Sequence, residues 1–282
     1  MILIAESGST KTQWSIVDSK QIIPLVNTPG INPLILSINE IETVVRPVSS
    51  EVDEYSLEEI YFFGAGCATP STIHRIQVAL SNIFECNRIV IDTDLKAACL
   101  ALAGDQPGMI GLLGTGSNSC IWDGQKVTAQ VPSLGYVLGD EGGGASIGKQ
   151  LVADYLKKQM PETINRYFAE KYKLSTAYVL ERVYQTPMAN RYLAGFAPFI
   201  EEHYDDTYCQ SIINQQFTAY FERNIMQYPN FDQYGLYFCG SIAYIHRDLL
   251  LEIGGKYGLS IKKIVKAPIN DLAIYFQKAF LS

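Results

Sequence analysis

The sequence predicts an α/β protein of two lobes built on one plan, with a helical insertion in the second. Three observations carry this. An apolar strand, a Gly/Ser/Thr turn and further short strands occur in series twice, once from residue 2 and again from residue 109. Alternating strand and helix patterns follow each series. The length of 282 residues suits about two domains at roughly 150 residues each. Repetition of an architecture along a chain outweighs most local signals.

Residues 1–6 read as a buried strand, and residues 11–18 alternate as a second, joined to it by the turn Gly8-Ser9-Thr10. Residues 21–28 read as a third strand of an antiparallel meander. The pattern predicts a helix from Asn39 to about Val45, a strand over Glu59–Ala65, and a helix over Pro70–Phe84 that begins on its proline. A strand over Arg88–Asp92 and an alanine-rich helix over Asp94–Ala103 complete the first half. The second half restarts with a strand at Met109–Leu113, the turn Gly114–Ser117, and strands at Asn118–Asp123 and Lys126–Gln130. From about Gly143 to Tyr228 the pattern is helical, punctuated at Pro161, Pro187 and Pro198. A strand at Tyr234–Cys239, a helix from about Ile242 to Leu251, a strand at Leu259–Val265 and a helix from Pro268 end the chain. The expected organisation is an N-terminal lobe over 1–106 and a C-terminal lobe over 107–267, with its insertion at about 143–228. A terminal helix over 268–282 is expected to pack back on the first lobe. Two such lobes predict a cleft between them, a common place for a ligand.

Composition narrows the function classes. Lys+Arg is 22 and Asp+Glu is 29, a formal charge of −7, which argues against a binder of nucleic-acid backbones. No apolar run reaches the roughly 18–20 residues of a membrane span, and Glu6 comes too early for a signal peptide. A cytoplasmic protein without nucleic-acid or membrane partners is expected. Six cysteines (67, 86, 99, 120, 209 and 239) show no C-x-x-C pair, and three histidines are widely spaced. This spacing favours buried thiols over a disulfide framework or a zinc site.

Five stretches could carry chemistry. In Glu6-Ser7-Gly8-Ser9-Thr10-Lys11, glycine and hydroxyl residues in a tight turn suit phosphate oxygens, with Lys11 adding charge. The bland reading is an ordinary hairpin. Gly114-Thr115-Gly116-Ser117 repeats that character in the matching place. Two such turns facing each other would clamp phosphates with main-chain donors, so that an acidic protein could hold a polyanion. Gly139-Asp140-Glu141-Gly142-Gly143-Gly144 precedes a helical pattern. It offers free N–H groups at a helix start for an anion or hydroxyl, and carboxylates for hydroxyls or hydrated Mg²⁺. The alternative is acidic capping of that helix. Residues 143–149 spell G-x-x-x-x-G-K, but Gln150 replaces the required Ser/Thr and no strand precedes the stretch, so a P-loop is rejected. Asp94, at a strand end entering a helix, is either a proton acceptor or a helix N-cap. Gly240-Ser241, after the strand LYFC, either lies against a purine or makes a plain turn.

Taken together, E-S-G-S-T-K-T-Q-W, P-G-I-N-P, G-A-G-C, T-D-L-K-A-A, G-T-G-S-N-S, L-G-D-E-G-G-G-A and C-G-S-I-A run in order from residue 2 to about 275. This set resembles the N-acetylglucosamine kinase-like group of the BadF/BadG/BcrA/BcrD-type ATPase family. The resemblance implies the actin/hexokinase/Hsp70 superfold, with two ribonuclease H-like lobes. It further implies ATP-dependent phosphorylation of an amino sugar, N-acetylglucosamine to its 6-phosphate, with ATP and Mg²⁺ as cofactors. In that scheme Gly8, Ser9, Thr10 and Lys11, with Gly114, Thr115, Gly116 and Ser117, hold the nucleotide phosphates. Gly240, Ser241 and Ala194 serve the adenosine side. Asn32, Gly66, Ser133, Leu134, Gly135 and Asp140 contact the sugar. Asp94 is the catalytic base for the C6 hydroxyl. Glu6 orients Mg²⁺ through water. The family's usual Asp-x-Gly is Glu-x-Gly here, and the extra methylene moves the carboxylate by roughly 1.5 Å, which bears on turnover more than on nucleotide binding. Two other functions fit the same residues, an ATPase activator of a dehydratase and a non-catalytic sugar or nucleotide sensor. Which amino sugar is used is open, and a homodimer is compatible with the eighteen tyrosines.

Overall fold

The computed structural model describes residues 1–279, and the chain divides into two compact units. Unit 1 holds Met1–Gln106, the hairpin tip Asp123–Lys126 and the chain from Ala267 onward; unit 2 holds Pro107–Trp122 and Val127–Lys266.

Unit 1 runs β1 (Ile2–Ser7), β2 (Lys11–Val17), β3 (Ile22–Pro24), β4 (Thr28–Pro29), α1 (Ile38–Val52), β5 (Glu59–Gly64), α2 (Pro70–Ser81), β6 (Arg88–Thr93) and α3 (Asp94–Leu102). Its sheet has the order β3-β2-β1-β5-β6, with β4 attached to β2. The meander is antiparallel, while β5 and β6 add in parallel to β1. β1 reads as a continuous apolar run because Ile2, Leu3, Ile4 and Ala5 are all buried, as expected of a strand covered on both faces. Trp14 is buried against Phe62, with ring centroids 6.1 Å apart, and its indole N–H donates to the Thr28 hydroxyl at 3.0 Å. Burial of such a side chain contributes about 2–3 kcal/mol.

Two expectations need correction here. The strand expected over 21–28 is two short strands, because Pro24 has no N–H to continue the ladder. The helix expected to stop near Val45 continues to Val52. A Ser37/Glu40 capping box starts it, Ile41, Val45, Val48 and Val52 line its buried face, and Pro47 falls on the exposed face. There water can reach the carbonyl that the proline leaves unpaired.

Unit 2 opens with β7 (Gly108–Leu113), β8 (Ser117–Trp122), β9 (Val127–Ala129) and a four-residue helix, α4 (Gly135–Leu138), that the sequence pattern did not predict. The helical insertion follows as α5 (Gly144–Leu156), α6 (Glu162–Tyr172), α7 (Thr176–Tyr184), α8 (Ala189–Ala194), α9 (Pro198–Glu202) and α10 (Thr207–Arg223). Then come β10 (Leu236–Cys239), α11 (Ser241–Ile245), α12 (Arg247–Lys256) and β11 (Ile261–Val265). The sheet order is β11-β10-β7-β8-β9. Read from the meander outward, both sheets follow one path, third-second-first strand and then two parallel additions.

The single helix expected over 242–251 is instead α11 and α12, broken at His246. The buried His246 ring packs near Tyr204 and Phe217, with centroids at 5.6 and 6.2 Å, and the helix restarts beyond it. α13 (Ile269–Ala279) returns to unit 1 and packs on α3, Tyr275 donating to Asp105 at 3.1 Å. Residues 280–282 of the expected terminal helix lie outside the described residues. The tip 123–126 is held in unit 1 by Gly124, where a Cβ would lie 2.4 Å from the Asp105 carbonyl oxygen, and by Lys96, whose Nζ donates to the Gln125 carbonyl at 2.7 Å. All six cysteines are thiols, five of them buried. Among the described residues no helix is long and apolar enough to cross a membrane.

Candidate active site

The expected site residues form two sets, one on each unit. In unit 1 the turn between β1 and β2 is closed by Gly8 N–H donating to the Lys11 carbonyl at 3.0 Å. Ser9 and Thr10 lie outside the strand ladder and their N–H groups have no acceptor among the described bonds; Thr10 and Lys11 are exposed. The turn therefore presents unused donors beside a positive charge, the chemistry that phosphate oxygens need.

The floor of this turn is the segment 28–31. The Ser7 and Thr12 hydroxyls meet at 2.7 Å and reach the Ile31 and Pro29 carbonyls, each at 3.1 Å. Gly30 N–H donates to the Thr10 carbonyl at 3.0 Å, and a Cβ on Gly30 would lie 2.4 Å from the Gly8 carbonyl oxygen. Ser7 and Thr12 fall within E-S-G-S-T-K-T-Q-W, and Gly30 within P-G-I-N-P, but local sequence assigns none of them this supporting role.

Asn32 follows this floor. Its Oδ1 accepts the Leu34 N–H at 3.0 Å, and its Nδ2 makes no hydrogen bond among the described residues. Gly66, at φ 84°, lies against it; a Cβ there would be 2.5 Å from Oδ1. Arg75 of α2, also unforeseen, holds this loop by donating to the Pro33 carbonyl and, at 3.2 Å, to the Leu36 carbonyl.

Asp94 sits where β6 enters α3. The alternative reading of Asp94 as N-cap is corrected, because Thr93 caps the helix, its hydroxyl accepting the Lys96 N–H at 3.2 Å. Asp94 is the first helical residue, half-buried, and accepts only the adjacent Leu95 N–H, at 2.9 Å, among side-chain bonds. Burial raises its carboxyl above the ordinary range, while the Leu95 and Asp94 amides pull it back. Glu6 is pushed up to about 8, first by burial and then by the Asp94 charge, against the pull of Lys11. The Cys67 thiol beside them is pushed up to about 12 by burial and by the Asp94 and Asp92 charges, and stays protonated.

In unit 2 the turn between β7 and β8 is closed by Gly114 N–H donating to the Gly116 carbonyl at 3.0 Å. Thr115 and Gly116 N–H have no acceptor among the described bonds. The expectation of free N–H groups at the start of the glycine-rich helix is corrected. Gly144 and Ala145, the first residues of α5, donate to the Gly114 and Thr115 carbonyls, each at 2.8 Å. The helix start fastens the turn from behind. Gly143 is pressed onto it, since a Cβ would lie 2.6 Å from the Gly116 carbonyl carbon. The spacing that mimicked a P-loop serves packing, because a Cβ on Gly148 would meet the Leu193 backbone of α8.

The remaining expected residues gather at this turn. Gly240, at φ 125°, would place a Cβ 2.2 Å from the Leu113 carbonyl oxygen, and Ser241 is exposed at the start of α11. Ala194 lies 3.2 Å from where a Gly144 Cβ would be. The Ser133 hydroxyl donates to the Ser117 carbonyl at 3.2 Å, Leu134 is exposed, and Gly135 opens α4 at φ 69°. Asp140 is buried and accepts the Ser117 N–H on Oδ1 at 3.0 Å; burial raises its carboxyl. Ser133, Leu134, Gly135 and Asp140 thus lie in unit 2 with the second turn, while Asn32, Gly66 and Asp94 lie in unit 1.

Among the described residues no group of three His, Cys, Asp or Glu is placed to cage a metal ion. Magnesium does not need such a cage, since one or two carboxylates plus substrate phosphates suffice. Glu6 and Asp94, two carboxylates raised first by burial and close enough for the Asp94 charge to act on Glu6, fit a divalent cation arriving with phosphates.

No protein-family model matches the chain, nor does any curated protein. Solved structures do. A protein from Porphyromonas gingivalis, provisionally assigned as an N-acetylglucosamine kinase, is 38% identical, with 99% of both chains covered and a TM-score of 0.90. One from Chromobacterium violaceum with the same provisional assignment is 18% identical over 97% of this chain and 98% of its own, at a TM-score of 0.73. A ROK-family glucokinase from Streptomyces griseus, solved with glucose and AMPPNP, is 13% identical over 100% and 98%, at a TM-score of 0.54. The last two likenesses concern the fold.

Proposed function

The chain belongs to the N-acetylglucosamine kinase-like family of two-lobed sugar kinases, and from that premise we propose that it transfers the γ-phosphoryl group of ATP to the 6-hydroxyl of N-acetylglucosamine. The observation that carries the reading is Asp94, a desolvated carboxylate directly after a strand, left without a capping task and close enough to Glu6 of β1 for its charge to raise that carboxyl.

In this reading, Asp94 accepts the proton of the sugar hydroxyl. The hydroxyl oxygen forms a bond to the γ-phosphorus, the bond from that phosphorus to the bridging oxygen breaks, and the electron pair leaves with ADP. Such transfer needs alignment and charge stabilisation more than covalent help. The unused N–H groups of Ser9, Thr10, Thr115 and Gly116 supply donors for phosphate oxygens. Magnesium, when bound, neutralises charge on the β- and γ-phosphates; Glu6 would hold it through water. The Asn32 amide donates to an acceptor on the sugar, a role open to a hydroxyl or an acetamido carbonyl oxygen.

The test is a coupled ADP-release assay over N-acetylglucosamine, glucosamine and N-acetylmuramic acid, with the product position read by NMR. ADP release that depends on N-acetylglucosamine, with phosphorus on O6, is expected. Equal ADP release without any sugar overturns the kinase reading in favour of an ATPase.

A further inference from the structure

Asp140 is matched by the family pattern to sugar hydroxyls, and its Oδ1 and backbone carry a second set of partners. Its Oδ1 faces the protein and accepts the Ser117 N–H at 3.0 Å, at the point where the second turn enters β8. A Cβ on Gly116 would lie 2.7 Å from the same oxygen, so the carboxylate is packed flat against the turn backbone. The Asp140 carbonyl accepts the Gly143 N–H at 2.9 Å, and Gly143 in turn abuts Gly116. The residue holds φ 61°, a left-handed conformation that non-glycine residues seldom adopt and that Asp and Asn tolerate best. Side chain and backbone thus brace the same turn.

We infer that Asp140 is a positioning residue for the nucleotide, holding the turn 114–117 so that the Thr115 and Gly116 N–H groups stay aimed at phosphate. This rests on the sugar-kinase reading above. The requirement is a hydrogen-bond acceptor at the Oδ1 position, not a negative charge. Without it the Ser117 N–H loses its partner in a buried place, and the turn moves to find another.

Binding of AMPPNP, without sugar, measured by calorimetry on wild type, Asp140→Asn, Asp140→Gly and Asp140→Glu tests this. Asn keeps the acceptor and tolerates the backbone; glycine removes the side chain without backbone strain; glutamate keeps the charge but displaces the acceptor. Asn is expected to bind within about twofold of wild type, and Gly and Glu at least about tenfold more weakly. Should the glycine variant fail to fold, the glutamate variant decides. Equal binding by the wild type and the folded Gly or Glu variants overturns the inference alone, as does an Asn variant as weak as they are. A wild-type protein that binds no nucleotide overturns the sugar-kinase reading, and this inference with it.

Discussion

The two units repeat one sheet path but carry different loads. Unit 1 has Glu6 in its first strand, two residues before Gly8, and Asp94 directly after its last. In unit 2 the position two residues before Gly114 is Leu112, and the residue directly after the last strand is Lys266. The turns differ in their support as well. The first rests on the backbone of residues 29–31, joined to it by Gly30 N–H and by the Ser7 and Thr12 hydroxyls, the second on the start of a helix and one carboxylate. The duplicated frame supplies donors twice and acid–base chemistry once. Unit 1 should therefore control rate in addition to its share of the phosphate donors, while unit 2 acts through nucleotide affinity.

The largest effect that would sharpen this division is at Asp94. Asp94→Asn should lower kcat by about a thousandfold, seen in steady-state assays with N-acetylglucosamine. Acid should separate the units next. Burial depresses His246 of unit 2 to about 4, from an ordinary value of 6.5. The native state keeps that ring neutral, so its stability is intact above pH 6.5 and declines as pH falls toward 4, by up to about 3 kcal/mol. Urea unfolding across that range should show the loss, and His246→Gln should flatten it; an unchanged slope in the variant would contradict the assignment. Phosphoryl transfer should also fall on the acid side as Asp94 gains its proton, at a pH above the ordinary aspartate value.

Third in size, Gly30→Ala forces a Cβ against the Gly8 carbonyl, and Gly240→Ala against that of Leu113. Each should cost about a hundredfold in kcat/KM. If the comparison holds, Gly240→Ala shows the loss in AMPPNP affinity. The smallest effect expected is from Arg75→Ala, which frees the loop behind Asn32. It should raise the sugar KM by about tenfold and leave nucleotide affinity alone. A loss of nucleotide affinity instead would break the division of labour.

The repeated plan and the place of Asp94 were legible because both are local. An apolar run, a glycine turn and a carboxylate at a strand end leave their marks within a few residues. What stayed hidden depends on distant neighbours. Gly30 matters because the Gly8 carbonyl lies where its side chain would be, and nothing in P-G-I-N-P records that. The N–H groups of Gly144 and Ala145 looked free because their acceptors, Gly114 and Thr115, are thirty residues earlier. The helix break falls at His246, whose buried ring packs near Tyr204 and Phe217, residues distant in sequence. Pro24, by contrast, was a readable signal that a strand over 21–28 should stop.

The measurement that bears most directly on the account is a single-turnover rapid quench of enzyme-bound ATP mixed with N-acetylglucosamine, run on wild type and Asp94→Asn with AMPPNP affinity measured on the same samples. The account predicts a transfer rate lower by about a thousandfold in the variant at unchanged affinity. Equal transfer rates, or a rate loss matched by an equal loss of affinity, would contradict it.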